Sequence, residues 1–252
     1  MSADMETKFV VLTTNRSGSV WVMSTLNSLN HVTAQGELFL PRKRTTEKRW
    51  DSDFAYPRFI ETKSTDRNLR PFSVFSYLDS FFNDTPGAVG FKLMYEQLGA
   101  YPEILAYFIW HRVRVVHLVR RNHLDVLISY AVKARLGQAH LLQGQSAPED
   151  MRVELDGEKL IKRMEWLEKK QNIARIMLRG CGLPHLEIAY EDLHRDQNQF
   201  RQIWHFLSIN SEAALPESTL VKIRKGGHQD VIKNYGEIKE RLSGSRFAEL
   251  LE

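Results

Sequence analysis

The chain has 252 residues, 42% of them hydrophobic and 26% charged, with a formal net charge of +4. These values suit a globular α/β protein with one sizeable core, and the mild basic excess favours an anionic ligand while being too small to argue for nucleic acid. The one cysteine, Cys181, excludes an intrachain disulfide framework and a thiolate zinc site.

No apolar run nears the ~20 residues of a membrane span. The start, MSADMETKF, lacks the basic and apolar regions of a signal peptide. A soluble cytoplasmic protein without a membrane span is therefore expected.

In chain order, four apolar runs read as buried strands: Lys8 to Thr13, Ala88 to Leu93, Val113 to Val119 and His185 to Tyr190. Helical spacing appears at Leu124, Leu127, Ile128 and Ala131. It appears again at Leu160, Met164 and Leu167, continued by Ile173, Ile176 and Met177. Strands alternating with helices predict βαβ units in one α/β domain spanning 1–252, with a central, mostly parallel sheet flanked by helices. Such a sheet puts its ligand site at the carboxyl ends of the strands. Two stretches break the alternation, 41–70 (opening PRKRTTEKRW) and 137–157. Long loops in a compact domain are usually functional or disordered, so both are candidate acceptor-side walls, or else solvated excursions.

The first strand runs into TTNRSGSVW, residues 13–21. A strand, a short loop and a helix start gather backbone N–H groups and the positive end of the helix dipole around one point. Gly18 permits close approach, Ser17 and Ser19 offer hydroxyls, and Arg16 supplies fixed charge. This is a phosphate cradle, though not a Walker P-loop, whose G-x-x-x-x-G-K-[ST] is missing. No acidic pair stands out to hold magnesium. The same residues also read as an ordinary strand-to-helix turn with a serine cap.

The stretch resembles the first phosphate loop of the sulfotransferases that use 3′-phosphoadenosine-5′-phosphosulfate (PAPS), commonly T-Y-P-K-S-G-T-T-W. Thr13, Ser17, Gly18 and Trp21 are identical, and Arg16 stands where many members carry Lys. VVHLVRRNHLDVLISY resembles the family's second nucleotide element, a strand followed by R-x-x-x-D-x-x-x-S, with Arg121, Asp125 and Ser129 in those places. IAYEDL (188–193) resembles the strand end whose Tyr, here Tyr190, packs near adenine. IRKGG (223–227) resembles the late loop over the 3′-phosphate, with Arg224, Lys225 and Gly226, and Lys233-Asn234 resembles the family's residues downstream of that loop.

The resemblance implies a sulfotransferase, P-loop-NTPase-like fold, PAPS as sulfuryl donor and adenosine 3′,5′-bisphosphate (PAP) as product. Arg16, Ser17, Gly18, Ser19 and Val20 would hold the 5′-phosphosulfate, Val20 mainly by its N–H. Arg121, Ser129, Arg224, Lys225 and Gly226 would clamp the 3′-phosphate. Trp21 would either neighbour the adenine or pack its helix into the core.

A cation must stabilise the leaving oxygen. Arg16 is the first candidate. Lys92, in GFKLMYEQL, is the second, in the place of the family lysine before the His of K-x-H. That His is absent, because position 94 is Met. A second branch of the family, of bacterial and carbohydrate enzymes, places a Glu after the first helix. TAQGELFLPR resembles that element and makes Glu37 the expected general base, with Glu96 in reserve. Burial beside Leu38 and Phe39 would suit a base working near neutral pH.

No metal is expected, since the histidines show no ligand spacing, and His117 reads as a satisfied core residue. The acceptor is a small-molecule, lipid or sugar hydroxyl, or an amine. No match to the family's C-terminal dimer motif is found, which leaves the oligomeric state open. Two other readings stay open: a nucleotide-dependent small-molecule kinase, and a non-catalytic polyanion binder using PRKRTTEKR.

Overall fold

A computed structural model describes residues 6–41, 56–62, 70–136, 141–142, 152–209, 220–221 and 226–251. By their internal contacts the residues group into two compact units, one of 1–119 with 174–216 and one of 120–173 with 217–252.

The first unit is an all-parallel five-stranded sheet flanked by helices. Its strands are β1 (Thr7–Thr13), β2 (Val32–Glu37), β3 (Ala88–Met94), β4 (Arg114–Val119) and β6 (His185–Ala189), in the order β2-β3-β1-β4-β6. The four predicted strands are thus present as β1, β3, β4 and β6. Their near-continuous apolar runs follow from burial on both faces, which removes the alternation of a half-exposed strand. On one face Val10, Leu12, Phe91, Leu93 and Val115 pack against α2 (Arg70–Asn83), α4 (Glu103–His111) and the end of α6 (Gly157–Gly180). Helix α1 (Ser19–Asn27) buries seven of its nine residues, as a helix apolar on all sides requires.

Strand β2, VTAQGE, is not among the predicted strands. Its hydrophobic content is low, and its position is set by tertiary contacts instead. The Asn27 amide, at the end of α1, donates to the Ala34 carbonyl (2.7 Å) and accepts from the Ala34 N–H (2.6 Å), replacing a missing strand neighbour.

The centre of β4 carries a polar chain that runs from a buried histidine toward the surface. His117, with no exposed surface, holds Nδ1 at 2.9 Å from Glu187 Oε2 and Nε2 at 2.7 Å from the Tyr95 hydroxyl. Arg175 closes on Glu187 with Nε at 2.7 Å and Nη2 at 3.0 Å. The neutral imidazole satisfies all of this: Nδ1–H donates to the carboxylate and Nε2 accepts from the phenol. His117 is the satisfied core residue expected.

The second unit contains α5 (His123–Leu136), residues 157–173 of α6, α8 (His228–Val231), α9 (Tyr235–Ser243) and a two-stranded antiparallel ladder of β5 (Leu141–Leu142) with β7 (Leu220–Val221). Leu124, Ile128, Leu160, Met164, Ile232, Ile238 and Leu242 form its core. In α6 the predicted apolar stripe shifts. Ile173 and Ile176 are exposed, and the buried row runs Leu160, Met164, Leu167, Gln171, Ala174, Leu178. That row keeps strict i, i+3/i+4 spacing by admitting one glutamine, whose Nε2 donates to the Arg120 carbonyl.

Within 41–70, Phe59–Glu61 forms a 3₁₀ turn and docks through Phe59 N–H to the Leu38 carbonyl, 2.9 Å. Most of 41–70 and of 137–157, including Arg42 to Arg49, lies outside the described residues. Among the described residues no helix is long and apolar enough to cross a membrane.

Candidate functional site

At the carboxyl end of β1 the chain enters the loop Thr14–Gly18. Two residues in it are left-handed, Arg16 at φ 66° and Gly18 at φ 86°. A positive φ at a residue with a side chain is uncommon and costs of order 1–3 kcal/mol, so it persists where surrounding structure demands it. Left-handed residues in a tight turn bring successive N–H groups to one side, the geometry of anion-binding concavities. The Gly18 carbonyl accepts from the N–H groups of Trp21 (3.0 Å) and Val22 (3.3 Å) and so closes the first turn of α1. The N–H groups of Gly18, Ser19 and Val20 precede the first possible intrahelical acceptor.

Gly18 is required twice over. Beyond its φ, a Cβ there would sit 2.2 Å from Cδ2 of Tyr190. Tyr190, at the start of α7 (Tyr190–Arg195), therefore lies directly on the loop. Trp21 stands edge-on to Tyr190 (6.0 Å) and to Phe200 (5.1 Å) and is 8% exposed. Of the two roles expected for Trp21, packing the helix is the one its surroundings display.

The hydroxyls of the loop divide their work. Thr13 Oγ1 lies 2.7 Å from the Leu118 carbonyl and 2.7 Å from Ser17 Oγ. A hydroxyl carries one proton and a carbonyl none. Thr13 thus donates to Leu118, and Ser17 donates to Thr13. The Ser17 proton is committed to holding the loop on β1 and β4, which leaves its N–H for an anion. One residue from Thr13, Thr14 Oγ1 is buried and has no hydrogen-bond partner. An orphaned buried hydroxyl costs about 1–3 kcal/mol and calls for a ligand or an ordered water.

Beside β1, strand β3 carries Lys92 in register with Val11, and beside β3, strand β2 ends at Glu37. The register of β2 on β3 advances from Gln35↔Phe91 to Glu37↔Lys92, so Gly36 is an extra, bulged residue. Without it Glu37 would fall opposite Leu93, whose side chain belongs to the other face. The bulge re-aims Glu37 onto the face of Lys92. Lys92 Nζ stands 3.1 Å from Glu37 Oε1, with the lysine side chain 7% and the glutamate 19% exposed.

The other carboxylate oxygen, Oε2, accepts from Gln97 Nε2 at 2.7 Å. Gln97 lies at the third position of α3 (Tyr95–Ala100) and accepts the Met94 N–H at 3.1 Å, the reciprocal half of a capping box. Glu96, the reserve base, is exposed in the first turn of α3. The loop after β1, Lys92 and Glu37 thus occupy three adjacent strands at the carboxyl edge of the sheet, where parallel α/β sheets place their ligands.

In the second unit, Arg121 precedes α5 and Ser129 lies in its second turn. Asn122 caps the helix by accepting the Asp125 N–H, 2.9 Å. The Asp125 carboxylate takes Arg120 Nη2 at 2.9 Å and His228 Nε2 at 3.1 Å, so this motif aspartate organises the unit from inside. Gly226, at φ 94°, leaves no room for a Cβ, which would lie 2.5 Å from Asp230 Oδ2. Arg224 and Lys225 lie outside the described residues.

Sequence reasoning missed Gln97, Thr14 and the Arg120–Asp125–His228 cluster. A Gln three residues after a strand end is a readable capping signal, whereas its bond to Glu37 is tertiary. Among the described residues no group of three His, Cys, Asp or Glu side chains is placed to hold a metal ion. No protein-family model matches the chain, and no curated protein matches it.

Proposed function

We propose that the chain is a PAPS-dependent sulfotransferase acting on a hydroxyl, with Glu37 as general base. The observation that carries the reading is the carboxyl edge itself. A left-handed, glycine-dependent anion loop stands on one strand, and a pair of the buried Lys92 with the half-buried Glu37 stands on the two strands beside it. The orphaned Thr14 hydroxyl beside that loop suits a polar group seated against the backbone.

PAPS supplies the activated sulfuryl group. The N–H groups of Ser17 to Val20 bind its 5′ end, and Arg16 adds charge. Arg121, Ser129, Arg224, Lys225 and Gly226 are assigned to the 3′-phosphate by the sequence motifs, and Tyr190 to the adenine side of the loop. Glu37 takes the proton of the acceptor hydroxyl as that oxygen bonds to sulfur. The bond from sulfur to the bridging oxygen breaks, and its electron pair stays on the phosphate oxygen of PAP. Arg16 and Lys92 neutralise that growing charge.

The test is transfer of ³⁵S from PAPS to a panel of alcohols, phenols and amines, read by mass shift and radiolabel. Transfer that needs Glu37 but not magnesium supports the reading. Magnesium-dependent turnover of adenosine triphosphate would favour a kinase. Binding that ignores the nucleotide and falls steeply with salt would favour a polyanion binder.

A further inference from the structure

We propose that Gln97 is a positioning residue that aims the Glu37 carboxylate. The inference deepens, and rests on, the reading of Glu37 as the base.

A glutamate side chain has three rotatable bonds, and a carboxylate that must accept a proton along a fixed line loses rate when it swings. Lys92 alone does not stop that motion. An ammonium is a rotatable point donor on a flexible stem and fixes distance better than direction. Gln97 supplies the second point. Its carbonyl oxygen faces the Met94 N–H (3.1 Å), so its amide nitrogen must face Glu37 Oε2 (2.7 Å). The flipped amide would set oxygen against carboxylate and nitrogen against N–H, losing both bonds.

Gln97 is itself held. It is 5% exposed, and it is tied to the backbone at the corner where β3 becomes α3. One Glu37 oxygen is thereby bound to Lys92 on β3 and the other to an amide anchored on the same β3–α3 corner. The carboxylate plane is set by two points, and the remaining lone pairs are left for the acceptor. Glu37 keeps 19% of its side-chain surface exposed, while both of its supports are nearly closed. A strut of this kind serves a group that has to be reached from outside in one orientation.

The test uses the full chain with Gln97→Met, which removes both bonds at similar volume, and Gln97→Glu, which keeps the Met94 bond but opposes two carboxyls. The activity probe is PAP release from PAPS with water as sole acceptor, in single turnover. PAP binding by calorimetry is measured on every variant.

The proposal expects all variants to bind PAP within about threefold of wild type. It expects Gln97→Met to lose about tenfold or more in turnover at every pH. Gln97→Glu should be poor at pH 8 and recover toward pH 5, where one proton shared between the carboxyls restores a donor to Glu37. A structural role would not produce that pH-dependent rescue. If Gln97→Met yields too little folded protein, Gln97→Glu carries the test alone.

As a readout without turnover, the ¹⁵N-labelled Gln97 side-chain amide proton should move upfield on Glu37→Gln. Gln97→Met turnover equal to wild type in a protein that binds PAP, or an amide resonance indifferent to Glu37→Gln, overturns the proposal alone. Failure of wild type to bind PAP overturns the nucleotide reading and the proposal with it.

Discussion

Two polar clusters stand on one sheet, and they are built for opposite ends. The chain Tyr95–His117–Glu187–Arg175 crosses β4 and β6 with each proton assigned and His117 wholly enclosed. Burial pushes the imidazole down to about 4, the Glu187 pairing only partly opposing it, and burial likewise raises the Tyr95 phenol. Nothing in that chain is poised to exchange a proton near neutrality. The Lys92–Glu37–Gln97 cluster has equally good hydrogen bonds, but it stands at the carboxyl edge of the sheet, on the strands beside the loop after β1. Burial and satisfied bonds do not by themselves mark a site. Position at the strand ends, beside the loop after β1, does.

The sharpest way to break this contrast is to exchange the fates of the two clusters. Glu37→Gln should cost about 10²–10⁴-fold in turnover and leave PAP affinity within about threefold, as measured by radiolabel transfer and calorimetry. His117→Leu should leave turnover of the folded fraction unchanged. Equal losses in both variants would erase the distinction.

The His117 cluster should declare itself in stability instead. Its folded value, about 4, lies below the ordinary 6.5. The unfolded chain therefore takes up a proton that the folded chain refuses. Stability is fully present above pH ~6.5 and lost as pH falls toward ~4, by up to about 3 kcal/mol. Urea melts at pH 7, 5.5 and 4 would show this loss. The slope should flatten in His117→Leu between pH 6.5 and 4.

Gly18→Ala is the next smaller effect. The strained φ and the contact with Tyr190 should cost about 2 kcal/mol of stability and weaken PAP binding, by thermal melting and calorimetry respectively. Smallest is Thr14→Val. It removes an orphaned hydroxyl without changing shape, so the melting temperature should hold or rise slightly while PAP affinity falls. A clear loss of stability in apo protein would mean that the hydroxyl already has a structural partner.

The loop after β1 is far more legible in the sequence than the Glu37 corner. Thr13 to Trp21 is contiguous, so strand, glycine and helix start announce themselves along the chain. The apolar β1, β3, β4 and β6 are readable for the same local reason. The Glu37 corner depends on the Gly36 bulge, on the Asn27 amide that seats β2, and on a bond from Gln97 sixty residues away. A motif points to Glu37 and another to Lys92, but nothing along the chain pairs the two. In α6 the reverse occurs. Ile173 and Ile176 look like core by composition, yet helical phase gives their place to Gln171 and Ala174.

The loop at the end of β1 is proposed as part of a site for a doubly phosphorylated adenosine. Calorimetric titration of the full chain with PAP, alongside adenosine 5′-monophosphate, tests it most directly. Micromolar PAP binding that weakens at least tenfold without the 3′-phosphate, and again in Arg16→Ala, is the predicted result. No heat of binding at millimolar PAP, in protein with a cooperative melt, would contradict it.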